Sequence, residues 1–106
     1  MIVKQVKYYN EEEQKFLNNP VDITAEELVN GHYFSTFICD EIRINAYPGT
    51  TLFINDEEVM IGEAGVYNIL YREKVQIISL RVAESSINFI KEHPYAHLII
   101  TFIENE

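Results

Sequence analysis

The stretch YPGTTLFINDEEVMIGEAGVYNILY, residues 47–71, decides the fold. It holds three short apolar runs, at 51–54, 59–61 and 66–71. Pro48 and Gly49 precede the first run, Asn55 and Asp56 follow it, and Gly62 and Gly65 stand before the third. Short runs punctuated in this way are the pattern of an antiparallel meander. The six residues Pro48, Gly49, Asn55, Asp56, Gly62 and Gly65 are therefore expected to be structural turn formers.

Toward the N-terminus, residues 41–46 alternate cleanly, with Ile42, Ile44 and Ala46 on one face and Glu41, Arg43 and Asn45 on the other. That is a strand with one wet face. Residues 32–40 read as a separate strand, apolar on both faces and hence central or covered. Before it, Thr24 followed by Glu27 fits a capping box, and Asn30-Gly31 ends the turn, so a short helix is expected over 25–30. Residues 11–20 carry an acidic run and then Asn18-Asn19-Pro20, which predicts a loop or a single helical turn. Residues 1–10 alternate in part and predict a strand.

Toward the C-terminus, residues 74–82 read as one strand. The period then changes: Ile87, Phe89 and Ile90 form a helical stripe, with Ser85 or Ser86 as the expected cap and Pro94 as the stop. Residues 96–103 are apolar on both faces and predict a buried, central strand. The sum is seven or eight strands and two short helices. The joins are too short for parallel crossovers. A single mostly-β domain over 1–106 follows, an antiparallel sandwich or jelly-roll-like barrel. The alternative is α+β, an antiparallel sheet with the 84–93 helix packed on one face.

The composition restricts function. Seventeen acids against eight bases give a net charge of −9, spread over both halves of the chain. Scattered bases in an acidic chain argue against nucleic acid, and the charge repels anionic lipid. No apolar run reaches the length of a membrane span. The N-terminus reads directly into a polar stretch without a signal peptide, which predicts a cytoplasmic protein. The lone Cys39 sits in an apolar run and reads as a buried thiol.

No catalytic constellation emerges. His93 and His97 are four apart, but Pro94 between them breaks any shared helix face, and the glutamate of a zincin is missing. The acidic turn at Asn55 lacks the glycine and glutamate spacing of a calcium loop. Gly62 and Gly65 lack the lysine of a phosphate loop. Asp40 and Glu63 form only the sort of acidic pair that any acidic β-protein offers. The expectation is a non-enzyme without metal or cofactor. Among seven tyrosines and six phenylalanines, Tyr8, Tyr9, Tyr47 and Tyr71 are candidate platforms for a sugar.

Pro48-Gly49-Thr50, Phe53-Ile54-Asn55, Ile61-Gly62 and Gly65-Val66-Tyr67 continue into Ile77-Ile78-Ser79-Leu80. Pro94-Tyr95-Ala96-His97-Leu98-Ile99 and Phe102-Ile103-Glu104 follow. Over residues 46–104 this pattern resembles a small β-module of structural proteins of bacteriophages and prophages of Gram-positive bacteria. The resemblance implies a virion component of tail, baseplate or capsid decoration, which works by assembly and has no catalytic residues. It implies a protein present in the bacterial cytoplasm during assembly and then in the virion. Its partners would be other virion proteins or itself, as a homo-oligomer. Residues 1–17 are a candidate assembly arm, with Tyr8, Tyr9, Phe16 and Leu17 as the contact residues. Two other classes remain open: a module binding carbohydrate or a host surface, and a small acidic inhibitor of a host protein.

Overall fold

The structure, a computed structural model, describes residues 2–8, 24–34, 38–77, 79–93 and 96–105. The elements in chain order are β1 (Ile2–Tyr8), α1 (Ala25–Asn30), β2 (Ile38–Ala46), β3 (Thr51–Ile54), β4 (Glu57–Met60), β5 (Val66–Gln76), β6 (Leu80–Val82), α2 (Glu84–Glu92) and β7 (Leu98–Glu104). The protein is mostly β, with two antiparallel sheets and two helices. One sheet has the order β1-β7-β2-β5 and the other β4-β3-β6. No closed barrel forms among the described residues.

The expected helix over 25–30 is α1. The Thr24 hydroxyl accepts from the Glu27 amide at 3.1 Å, and Gly31 ends the helix at a φ of 102°. The Glu27 carboxylate reaches back to the Thr24 hydroxyl at 3.3 Å. The β3–β4 hairpin is also as expected: Ile54 pairs with Glu57, and Asn55 and Asp56 between them both take positive φ, 49° and 66°. A two-residue loop with both φ positive matches the right-handed twist of the strands it joins.

The meander is corrected at its third run. Residues 66–71 begin β5, which leaves the hairpin and pairs with β2 in the other sheet. Local apolar runs mark strands but carry no information on the partner. Three boundaries also differ. Residues 32–40 and 41–46 are not two strands: β2 runs unbroken from Ile38 to Ala46, and among the described residues of the earlier stretch only His32 bridges, to Leu80. The strand expected over 74–82 divides, its first part closing β5 and its last part forming β6. The cap of α2 is Ala83, which has no side-chain acceptor; Ser86 falls in the first turn, where its hydroxyl accepts from the Thr51 amide.

A register irregularity explains the burial of β2. Cys39, Ile42, Ile44 and Ala46 are all buried, although Cys39 is out of phase with the other three. The pairing shifts between Cys39 and Glu41: Cys39 lies opposite Val75, but Glu41 lies opposite Leu70. Residues 71–74 of β5 thus bulge against Asp40. The side-chain phase of β2 changes at this irregularity, between Cys39 and Ile42, which returns Cys39 to the core side.

Buried residues of both sheets and both helices form one cluster that includes Leu28, Ile42, Ile44, Leu52, Leu80, Val82, Ile87, Ile90, Ile100 and Phe102. Full burial of each large aliphatic contributes about 1.5–3 kcal/mol before entropy is counted. The strand expected at 96–103 is β7, which lies between β1 and β2. Its interior position pairs both of its edges; on its faces Leu98, Ile100, Phe102 and Ile103 are buried, and Ile99 is half-buried.

Candidate functional surface

Among the described residues, four of the seven exposed large apolar side chains lie on β5 and its approach; Tyr33, Ile38 and Tyr47 lie elsewhere. Leu70 is 76% exposed, Met60 61%, Val66 52% and Tyr67 42%. On β5, the pairs Ile42↔Ile69 and Ile44↔Tyr67 place residues 67 and 69 on the face shared with buried Ile42 and Ile44. Val66, Asn68 and Leu70 therefore stand on the opposite face, opposite Asn45, Arg43 and Glu41.

The backbone direction follows from one bond. The Ala46 amide donates to the Gly65 carbonyl at 3.0 Å, so the peptide groups of Gly65 point toward β2. Peptide groups alternate sides along an antiparallel strand. Those of Tyr67 and Ile69 thus also point toward β2, and those of Val66, Asn68 and Leu70 point away from it. No strand pairs with that outer edge among the described residues. The edge is unusual for what it lacks. Residues 66–71 contain no charged residue and no proline, the usual protections of an edge. The other edges differ: β4 is short and carries exposed Glu57 and Glu58, β6 is bridged by His32 at Leu80, and the sequence of β1 carries Lys4 and Lys7.

Gly65 sets the start of this edge. It adopts a φ of 73°, and a Cβ there would stand 3.2 Å from the Ala46 carbonyl oxygen. Gly49 likewise takes a positive φ. Gly62 accepts from the Gly65 amide at 3.0 Å, and its flank is open. Pro48 lies in the turn that closes β2, where the Thr50 hydroxyl donates to the Tyr47 carbonyl at 2.7 Å. All six turn residues therefore lie in the connections that shape the two sheets.

A second feature is a cleft of about 280 Å³ between that turn and the start of α2, lined by Tyr47, Pro48, Gly49, Thr50, Ser85, Ser86 and Phe89. Tyr47 and Phe89 lie with ring centroids 5.0 Å apart, and His93 stacks on Phe89 at 3.8 Å. The His93 ring is held there by a 2.9 Å contact between Nδ1 and the Phe89 carbonyl. Phe89 and His93 are four apart on a helix, the spacing at which side chains meet. That spacing was present in the sequence; their meeting with Tyr47 depends on tertiary packing.

Of the expected contact residues, Tyr8 ends β1 opposite Leu98. Tyr9, Phe16 and Leu17 lie outside the described residues. Ile2–Tyr8, the first part of the expected arm, is hydrogen-bonded to β7 of its own chain over seven residue pairs. The chemical candidates stay apart. Asp40 accepts from the Asn105 amide and from its side chain at 2.9 Å, tying β2 to the end of β7. No three of His, Cys, Asp and Glu converge on a metal position among the described residues. Cys39 is fully buried, and its thiol is pushed up from 9.0 to about 11, first by burial and then by the charges of Asp40 and Glu104. A thiol so shifted stays protonated at neutral pH and is a poor nucleophile. Burial also raises the Tyr71 phenol.

No protein-family model, no curated protein and no solved structure matches the chain.

Proposed function

We propose that this chain is a non-enzymatic structural or assembly component of a phage or prophage particle, acting by protein–protein contact through the outer edge of β5. One observation carries the reading. Residues 66–70 present three outward peptide groups flanked by exposed Val66 and Leu70, with no charge to discourage a partner. Strand addition at such an edge is a recurrent mode of protein association. The virion setting comes from the resemblance of residues 46–104, with the protein made in the bacterial cytoplasm and then carried in the particle. The two sheets are taken as an open sandwich around their common core. A closed barrel would abolish edges, and the proposed mode of contact needs one.

Particles induced from the host strain and banded on a density gradient test the setting. Peptides of this chain should band with the particles. Their confinement to the soluble fraction, with particles formed without them, overturns it.

A second reading has its own observation. The cleft beside Tyr47, Phe89 and His93 combines aromatic rings with the hydroxyls of Thr50, Ser85 and Ser86, a combination suited to a sugar ring. A glycan array with a hit lost on Tyr47→Ala supports carbohydrate binding; an empty array removes it.

A further inference from the structure

We infer that the partner at the β5 edge is a second copy of this chain, joined about a two-fold axis that passes beside Asn68. The inference rests on the reading that β5 is the contact edge and names its occupant.

The argument is one of register. Two identical antiparallel strands pair about a dyad, so residue i on one copy meets a fixed partner on the other. With the dyad at Asn68, Asn68 faces Asn68 of the second copy, and each Val66 faces the other copy's Leu70. These are the three residues whose peptide groups point outward, as the alternation from the bond between Ala46 and Gly65 requires. All of them therefore become hydrogen-bonded pairs. The alignment also sets the exposed Val66 against the exposed Leu70 twice, which packs each apolar side chain against the other along one flank. Moving the dyad to Leu70 would set Val66 against Lys74 and Asn68 against Arg72, and would carry the pairing through the 71–74 bulge.

Charge points the same way. Two copies of a −9 chain repel, so a contact between copies requires a surface without acids. Residues 66–71 form such a surface, and the nearest acids along the chain, Glu63 before it and Glu73 after it, lie outside it. The charges nearest to it on this face, Glu41 and Arg43 of β2, are paired with each other. The paired sheets become one continuous sheet of eight strands, β5 against β5 at its centre, with no unpaired peptide group on residues 66–70.

The experiment uses the full chain with one cysteine introduced at a time, the native Cys39 being buried. Asn68→Cys should form a disulfide-linked dimer on mild oxidation, because paired Cα atoms about 5.5 Å apart fall within disulfide reach. Arg43→Cys lies on the adjacent strand, opposite Asn68. Its two copies would stand about three strand spacings apart, roughly 14 Å, and should not link. The parent chain should show a dimer by light scattering that tightens with salt. Leu70→Lys should weaken it by about tenfold or more while leaving the circular dichroism unchanged. A parent chain that stays monomeric at every concentration, or a dimer that survives Leu70→Lys and leaves Asn68→Cys unlinked, overturns the inference. Either result leaves the banding of the chain with particles intact as a separate test, so failure of the self-pairing is distinguishable from failure of the virion reading.

Discussion

The Ser86 hydroxyl accepts a hydrogen bond from the Thr51 amide at 2.9 Å, thirty-five residues away in the chain. With the Ala83 amide donating to the Thr51 carbonyl at 3.0 Å, this bond fastens the first turn of α2 to the first residue of β3. The cap residue itself, Ala83, has no side-chain acceptor, so these two bonds anchor the start of the helix. Ser86→Ala leaves the Thr51 amide without its acceptor in a part-buried place. The expected cost is about 1–3 kcal/mol. Urea unfolding reads it as a lowered midpoint at unchanged slope; an unchanged midpoint would show that water replaces the hydroxyl.

Gly65 and Gly62 make a matched pair. Gly65→Ala must hold a side chain at a φ of 73° and push against the Ala46 carbonyl at 3.2 Å. It should lose about 1–2 kcal/mol. Gly62→Ala meets open space at a permitted backbone angle and should change stability by less than about 0.5 kcal/mol. Thermal melts of the two variants should therefore separate; equal losses would refute the assignment.

The hairpin turn predicts a gain and a loss. Asp56 holds a φ of 66°, so Asp56→Gly should stabilise by a few tenths to about 1 kcal/mol. Asn55→Ala gives up both tolerance of the left-handed backbone and the Oδ1 that accepts from the Ser79 amide at 3.1 Å. A loss of about 1–2 kcal/mol is expected. Denaturant titration checks both, and a stabilising Asn55→Ala would contradict the turn geometry.

Cys39 gives a pH dependence with a definite sign. Its folded-state value, about 11, lies above the ordinary 9.0. Below pH 9 the thiol is protonated in both states and its contribution to stability is complete. As pH rises from 9 through 11, the unfolded chain releases the proton first and stability falls, by about 2–3 kcal/mol for a two-unit difference. Cys39→Ala should flatten that alkaline decline. An alkaline limb of equal depth in the variant would assign it to other groups, among them Tyr71, whose phenol is raised in the same sense.

How much of this was legible in the sequence depends on the range of the interactions. Thr24, Glu27 and Gly31 act within one helix, and α1 could be drawn to the residue. Asn55 and Asp56 act within one hairpin, and the turn was equally clear. β5 was visible as an apolar run but assigned to the wrong neighbour, because its pairing with β2 spans some thirty residues and no local pattern encodes it. The shift between Cys39 and Glu41 was hidden for a related reason. It shows only in the pairing with residues 70–75 of another strand. The β5 surface shares this limit. Its freedom from charge could be read directly, but its position at an edge exists only once β7 and β1 have taken the other side of β2.

The interior place of β7 has a consequence for the timing of folding. β7 is the last of the described strands to be synthesised, yet β1 and β2 both take their hydrogen bonds from it. While residues 98–104 are still inside the ribosome, β1 has no neighbour within its own sheet and β2 has only β5. The β3–β4 hairpin can form early, being local. The four-stranded sheet must wait for the final strand to insert between two waiting ones, a closure of about a hundred residues of chain. Until that insertion, a nascent chain displays the inward faces of β1 and β2 as well as the bare β5 edge. Once β7 is in place, the β5 edge stays open among the described residues.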